Sequence, residues 1–261
     1  MAKVKKQTKP QRTARHRFGA HLSIAGGMHK AIEAALAYHF ETVQVFVKNQ
    51  RQWNAAPLQP DDVARWHELR ETPGFGPVVA HATYLINLGS ADAALFARSR
   101  DALTEELLRC DELAIEYLVV HPGSAKDSTV DAAIERVVRA IDHIYAENAG
   151  LKTTLLLETT AGQGATLGRS FAELGAIRGS LRAPEHVGIC IDTCHVFAAG
   201  YDIRTPAGYA EMIAEAEREI GLDTIRCWHF NDSKGTLGAH LDRHEHIGHG
   251  EIGVAGGDQA H

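Results

Sequence analysis

Short hydrophobic runs alternate along this chain with longer stretches whose apolar positions recur every three or four residues. HRFGAHLSIAGG reads as a strand and turn, GGMHKAIEAALAYHF as a helix, and TVQVFVKN as a second strand before the polar loop QRQWNAAPLQP. Pro60, Asp61 and Asp62 open the helix DDVARWHELR, because acids favour the positive end of a helix. PVVAHATYLINLG supplies a third strand and a loop, residues 91–115 a long helix with Leu103, Leu107 and Leu108 on one side, and IEYLVVHPG a fourth strand. TVDAAIERVVRAIDHIYAENAG is an amphipathic helix ended by Gly150. TTLLLETTAGQG gives strand five, SFAELGAIRG a helix, VGICIDTCH strand six, TPAGYAEMIAEAEREIG a helix and TIRCWHFND strand seven.

Repeated β/α units call for parallel strands covered by helices, either as an open doubly wound sheet or as a closed eight-stranded barrel. Polar residues fall at the C-terminal ends of five separate strands: His81, His121, Glu158, Asp192 and His229. An open sheet gathers its ligand groups at one crevice, whereas a barrel mouth collects them from nearly every strand. No GxGxxG fingerprint follows the first strand, and no Walker A sequence appears. The expected fold class is therefore α/β, a TIM (β/α)8-type barrel. Seven units are clear, and after Gly250 only EIGVAGGDQAH follows, too little for a closing strand and its helix. An incomplete barrel exposes two strand edges, so self-association of an otherwise monomeric protein is expected.

Net charge is −6, but residues 1–17 carry seven Lys or Arg and no acid, leaving −13 on the rest. This divides the chain into a basic, disordered N-terminal tail over 1–17 and a single β/α-barrel catalytic domain over 18–261. The tail fits either a nucleic-acid contact or a solubilising role. An acidic body argues against a polyanionic partner unless bound cations invert the local field. With no apolar run of membrane length, no secretory leader and only four cysteines, a cytoplasmic location without disulfides is expected. Cys190 and Cys194 have no second pair at metal spacing and read as buried thiols.

Asp, His and Glu gather where the apolar runs stop. Packing has no use for so many charges at a core rim, where unpaired buried carboxylates are costly, whereas divalent metals satisfy them together. Imidazole with carboxylate suits zinc, manganese or iron. In LDRHEHIGHG, Asp242 and His244 lie two apart and face the same way if extended. Such sites serve both phosphoryl hydrolysis and sugar isomerisation.

The blocks GAHLSIAGG, FVKNQRQWNAAPL, HATYLINLG, HPGS, LLLETTAGQG, GICIDTCHVFAAGYD, HFNDSK and DRHEHIGHGEIG together resemble the endonuclease IV (deoxyribonuclease IV) type of apurinic/apyrimidinic endonuclease, from about Phe18 to Gly253. The resemblance implies three zinc ions, with manganese an alternative. It also implies incision of double-stranded DNA on the 5′ side of an abasic site to leave a 3′-hydroxyl, in base excision repair. By motif, His81, His121 and Glu158 would hold the first ion. Glu158 would bridge to a second ion held by Asp192 and His229, making Glu158, Asp192 and His229 the catalytic group. His195, Asp242 and His244 would hold the third. Arg51, Tyr84 and Leu85 would enter the duplex at the lesion, and Asn231, Ser233 and Lys234 would contact phosphates. His21 would orient a ligand from behind. The family's last strand ends in a Glu that completes the second site; no counterpart follows Gly253, so that site is expected to be incomplete. Two other readings remain: a catalytically impaired relative that binds damaged DNA, and a barrel sugar isomerase or epimerase.

Overall fold

Every strand of the main sheet runs parallel to its neighbours, in the order of the sequence. The computed structural model describes residues 16–254. The strands are β1 (Gly19–His21), β2 (Thr42–Phe46), β3 (Val79–His81), β4 (Tyr117–Val120), β5 (Thr154–Glu158), β6 (Val187–Asp192) and β7 (Ile225–His229). Between them run α1 (His29–Ala37), α2 (Pro60–Arg70), α3 (Ala93–Glu112), α4 (Val130–Glu147), α5 (Phe171–Gly179), α6 (Thr193–Ala199) and α7 (Pro206–Glu219). Among the described residues no eighth strand joins β7 to β1. The sheet is curled all the same: His229 on β7 reaches Gln44 on β2, with Nε2 2.7 Å from Oε1.

Strand alternation divides the core into two layers. Val45, Ala80, Leu118, Leu155, Leu157, Ile189 and Ile191 point outward into a continuous core beneath the helices. Val79, Val119, Leu156 and Cys190 form a small inner cluster inside the curl. The next inward positions toward the C-terminal strand ends are His81, Glu158 and Asp192, so the inner layer changes from apolar to ionisable within one two-residue step. Helix starts are capped as their sequences dictate: Asp92, Thr129, Ser170 and Thr205 each accept a backbone N–H of the first turn. Gly19 is required where β1 crosses β2, because a Cβ there would lie 2.1 Å from the Thr42 carbonyl oxygen.

Two expected strands end early. The run expected to carry strand six through His195 stops at Asp192, whose Oδ1 accepts the His195 N–H at 3.0 Å and starts α6. The strand expected to reach Asp232 ends at His229. Asp232 instead collects the backbone N–H groups of Ser233, Gly248, Gly250, Ile252 and Gly253 and folds the segment after it into a compact loop. Within that loop β8 (Asp232–Ser233) pairs antiparallel with β9 (His244–Glu245), which returns His244 to the barrel mouth. Gly250 packs so closely that a Cβ would sit 2.4 Å from the Ser233 carbonyl oxygen. Most of the basic tail lies outside the described residues, but Arg17 donates to the carbonyls of Gly74 and Gly76 and so belongs to the barrel body. Among the described residues no helix is long and apolar enough to cross a membrane.

Candidate metal centre

The C-terminal ends of β3, β5, β6 and β7, the residue after β4 and the start of α6 bring six ionisable side chains to one point. Glu158 is the hub, with a side chain only 2% exposed. Its Oε2 lies 3.1 Å from His81 Nε2 and 3.1 Å from His121 Nε2, while Oε1 lies 2.7 Å from His229 Nδ1. The two oxygens therefore face different partners. One candidate ligand set is His81, His121 and Glu158; a second is Glu158, Asp192 and His229; a third is Asp192, His195 and His244. Asp242 approaches the third, 3.2 Å from His195 Nε2 and 3.3 Å from His244 Nε2.

Three of the imidazoles are oriented by a carbonyl on their far side. His81 Nδ1 donates to Ala82 O (2.7 Å), His195 Nδ1 to Thr159 O (2.8 Å) and His229 Nε2 to Gln44 Oε1 (2.7 Å). A carbonyl only accepts, so in each ring the outer nitrogen carries a proton and the inner nitrogen is the one turned toward the cluster. Gln44 also donates through Nε2 to His21 Nδ1 at 3.1 Å, which links His21 to His229 through one amide side chain. Loss of surrounding water, with His81 and His229 close by, holds His21 down to about 4.

The electrostatics mark a cluster built for cations. Burial alone would raise Glu158, yet His229 and His121 outweigh it and hold its carboxyl well below the usual range. Burial likewise opposes charge on His195, but Asp192, Asp242 and Glu158 win and raise it to about 10. His229 is raised in the same way by Glu158. His195 Nε2 and His244 Nε2 face each other at 3.2 Å, an approach of two ring nitrogens that is favourable only with a proton or cation between them. Nitrogen and oxygen donors in this density fit zinc or manganese.

The residues expected to read the lesion lie above this floor. Tyr84 is 61% exposed, its ring packed against Phe46, His81 and His121. Leu85 is half-buried beside it and Arg51 is exposed. Lys234 is exposed, with Nζ 3.7 Å from Glu245 Oε2. Asn231 spends its amide on Asp192, with Nδ2 2.6 Å from Oδ2. Ser233 corrects the expectation: it is fully buried and its hydroxyl donates to Gly235 O at 2.9 Å, so it offers nothing to a phosphate. Glu251 is exposed, and its backbone N–H donates to Ser233 O.

Sequence reasoning missed three features. Gln44 gives no signal within its strand. Lys48 and Glu106, both buried, form a clamp behind the loops that carry Arg51 and Tyr84: Lys48 Nζ is 2.8 Å from Trp53 O, 3.1 Å from Glu105 Oε2 and 3.3 Å from Glu106 Oε1. Glu106 also accepts the Thr83 N–H at 3.1 Å, and the Thr83 hydroxyl donates to Gln50 O, so one carboxylate ties together the loops bearing Arg51 and Tyr84. Burial pushes Glu106 up to about 7 despite Lys48. Finally, Cys190 pairs with Cys227, not with Cys194, and both sulfurs lie close to His229.

A cavity of about 1230 Å³ opens over the cluster, reaching Tyr84 and His244 at the rim and Cys227 below. Residues 32–256 match the family described as the xylose isomerase-like TIM barrel. The chain is 45% identical over 238 residues to the probable endonuclease 4 of Chloroflexus aurantiacus, covering 91% of this chain and 84% of that protein. It is 43% identical over 236 residues to the probable endonuclease 4 of Trichlorobacter lovleyi, covering 90% and 84%. The crystal structure of endonuclease IV from Thermus thermophilus superposes with a TM-score of 0.82 at 35% identity, covering 94% of this chain and 87% of that one. The seven-stranded curl, its ionisable mouth and these likenesses agree: the chain belongs to the endonuclease IV family of xylose isomerase-like TIM barrels.

Proposed function

We propose that this chain is a metal-dependent apurinic/apyrimidinic endonuclease that hydrolyses the DNA phosphodiester 5′ to an abasic site, leaving a 3′-hydroxyl for base excision repair. The observation that carries this reading is Glu158, whose two oxygens face two separate donor groups. His81 and His121 would hold one cation with Glu158, Asp192 and His229 a second, and His195, Asp242 and His244 a third. Zinc suits these donors and manganese is the alternative. Such cations, when bound, supply Lewis acidity toward a phosphodiester and neutralise charge developing on its oxygens.

The chain's own residues do the rest. Glu158 and Asp192 hold negative charge at the floor and keep the imidazoles in place. Gln44, Ala82 and Thr159 fix which ring nitrogen points inward. Tyr84 and Leu85 fill the space of the missing base and Arg51 enters alongside, so that the abasic sugar is turned toward the floor. Lys234 meets the backbone and sets register, not sequence. The protein acts as a monomer on duplex DNA.

The test is a labelled duplex with one abasic-site analogue, incubated with metal-loaded and metal-stripped protein. A metal-dependent cut on the 5′ side, whose end a polymerase extends, supports the reading. A folded, metal-loaded protein that binds the duplex without cutting it would identify a damage-binding relative instead. Protection from heat by a free ketose but not by abasic duplex would point to sugar isomerase chemistry.

A further inference from the structure

Beneath the hydrolytic cluster lies a second donor set of different chemical character. The register of β6 and β7 sets Asp192 opposite His229 and, two residues earlier on the same inward face, Cys190 opposite Cys227. The two sulfurs and a nitrogen of His229 all lie within 4.8 Å of one another. Around the sulfurs the inner layer is apolar, made by Val79, Val119 and Leu156. Cys227 borders the mouth cavity, which gives a cation a route to the pair.

We propose that Cys190, Cys227 and His229 form a site for a thiophilic cation of the cadmium or copper(I) class, and that filling it withdraws His229 from the hydrolytic cluster. Two thiolates and one imidazole make a soft donor set, whereas the cluster above offers only imidazole and carboxylate, which favour harder ions. The sites overlap at a single residue. His229 is tethered through Nε2 to Gln44, which leaves one nitrogen, Nδ1, to serve either Glu158 or the sulfurs. It cannot ligate a cation on both levels. Thiophilic metals would thus inhibit from within the barrel, beneath the hydrolytic cluster. Ligation displaces the two thiol protons to solvent and changes no oxidation state.

The competition for His229 rests on the hydrolytic reading above, but the sulfur site itself does not. The full-length, zinc-loaded protein is titrated with cadmium in the presence of a phosphine reductant, and the sulfur-to-cadmium charge-transfer absorbance is followed together with incision. The expected result is a band that saturates at one cadmium per chain as incision is lost. Cys227→Val and the smaller change Cys227→Ser should abolish the band. They should also raise the cadmium needed for inhibition by at least about 10-fold, the least that loss of an outer-shell partner costs a metal site. Cys110→Ala, which removes a buried thiol in α3 remote from the cluster, should leave band and inhibition unchanged. A band that persists in both Cys227 variants, or cadmium inhibition with no band, would overturn the proposal. A saturable sulfur band in a protein that never incises abasic duplex would refute the hydrolytic reading and leave this site standing.

Discussion

Glu158 and Tyr84 border the same cavity and are held in opposite ways. Glu158 is buried, and each of its oxygens is taken by an imidazole. Tyr84 is largely exposed, and its ring touches its neighbours only by packing. The floor is a set of mutually dependent charges that lose their justification when one is removed. The rim consists of side chains with little to bond to inside the protein, positioned by a clamp of buried Lys48 and Glu106 with partly exposed Glu105 one layer behind. The difference teaches where each part of the function resides. On the proposed reading, chemistry belongs to groups satisfied by one another and by cations, and recognition to groups that remain free to meet DNA.

The sharpest way to break this division is Asp192→Ala. Asp192 contributes to two of the donor groups, caps α6 and anchors Asn231. Its loss should lower the single-turnover incision rate by more than about 100-fold, the upper end of what losing even an outer-shell partner costs. Retained incision would remove the floor from the chemistry. Glu106→Ala addresses the clamp. Lys48 would remain buried with Glu105 and Trp53 O as its partners, so urea unfolding should show a loss of about 3 kcal/mol, the lower end for a broken buried pair. Metal content should stay unchanged, and a fall in it would show that clamp and floor are one unit.

The floor was far more legible in the sequence than the clamp, for a physical reason. His81, His121, Glu158 and Asp192 each follow an apolar run, so a strand that plunges into a core must deliver them to its rim. Lys48 and Glu106 sit within a loop and a helix whose local pattern looks solvated, and only tertiary packing buries them. Asp192 ended its strand sooner than the hydrophobic run suggested, because a carboxylate that caps a helix overrides the β-propensity of Cys194 and Val196. Ser233 read as a free hydroxyl because its turn partner, Gly235, gives no sign of the bond between them. The Cys190–Cys227 pair was hidden by a separation that only strand register closes.

Proton linkage gives a third test. Burial opposes charge on His195, but Asp192, Asp242 and Glu158 raise it to about 10, and Glu158 raises His229 against the same opposition. Ligation requires neutral rings, so metal binding at pH 7 to 8 should release protons. Apparent affinity should then rise by about 10-fold per pH unit for each proton displaced, until the imidazoles deprotonate on their own. Calorimetry in two buffers of different ionisation enthalpy reads this directly; identical heats would contradict it. Smallest in effect is Tyr84→Ala. Aromatic stacking on a base is worth about 1 kcal/mol at the low end, so preference for abasic over intact duplex should fall by about 5-fold with metals retained. Unchanged preference would deny Tyr84 its role at the lesion.

The central claim is that Glu158 is shared between two cations, and counting metals in Glu158→Ala tests it most directly. Zinc per chain would be measured in the wild-type and variant proteins after identical loading and exhaustive dialysis, with circular dichroism to verify the fold. A folded Glu158→Ala protein that has lost more than one zinc relative to wild type is the expected result. A loss of one ion or none would contradict the shared centre and reduce Glu158 to an ordinary ligand or a purely structural charge.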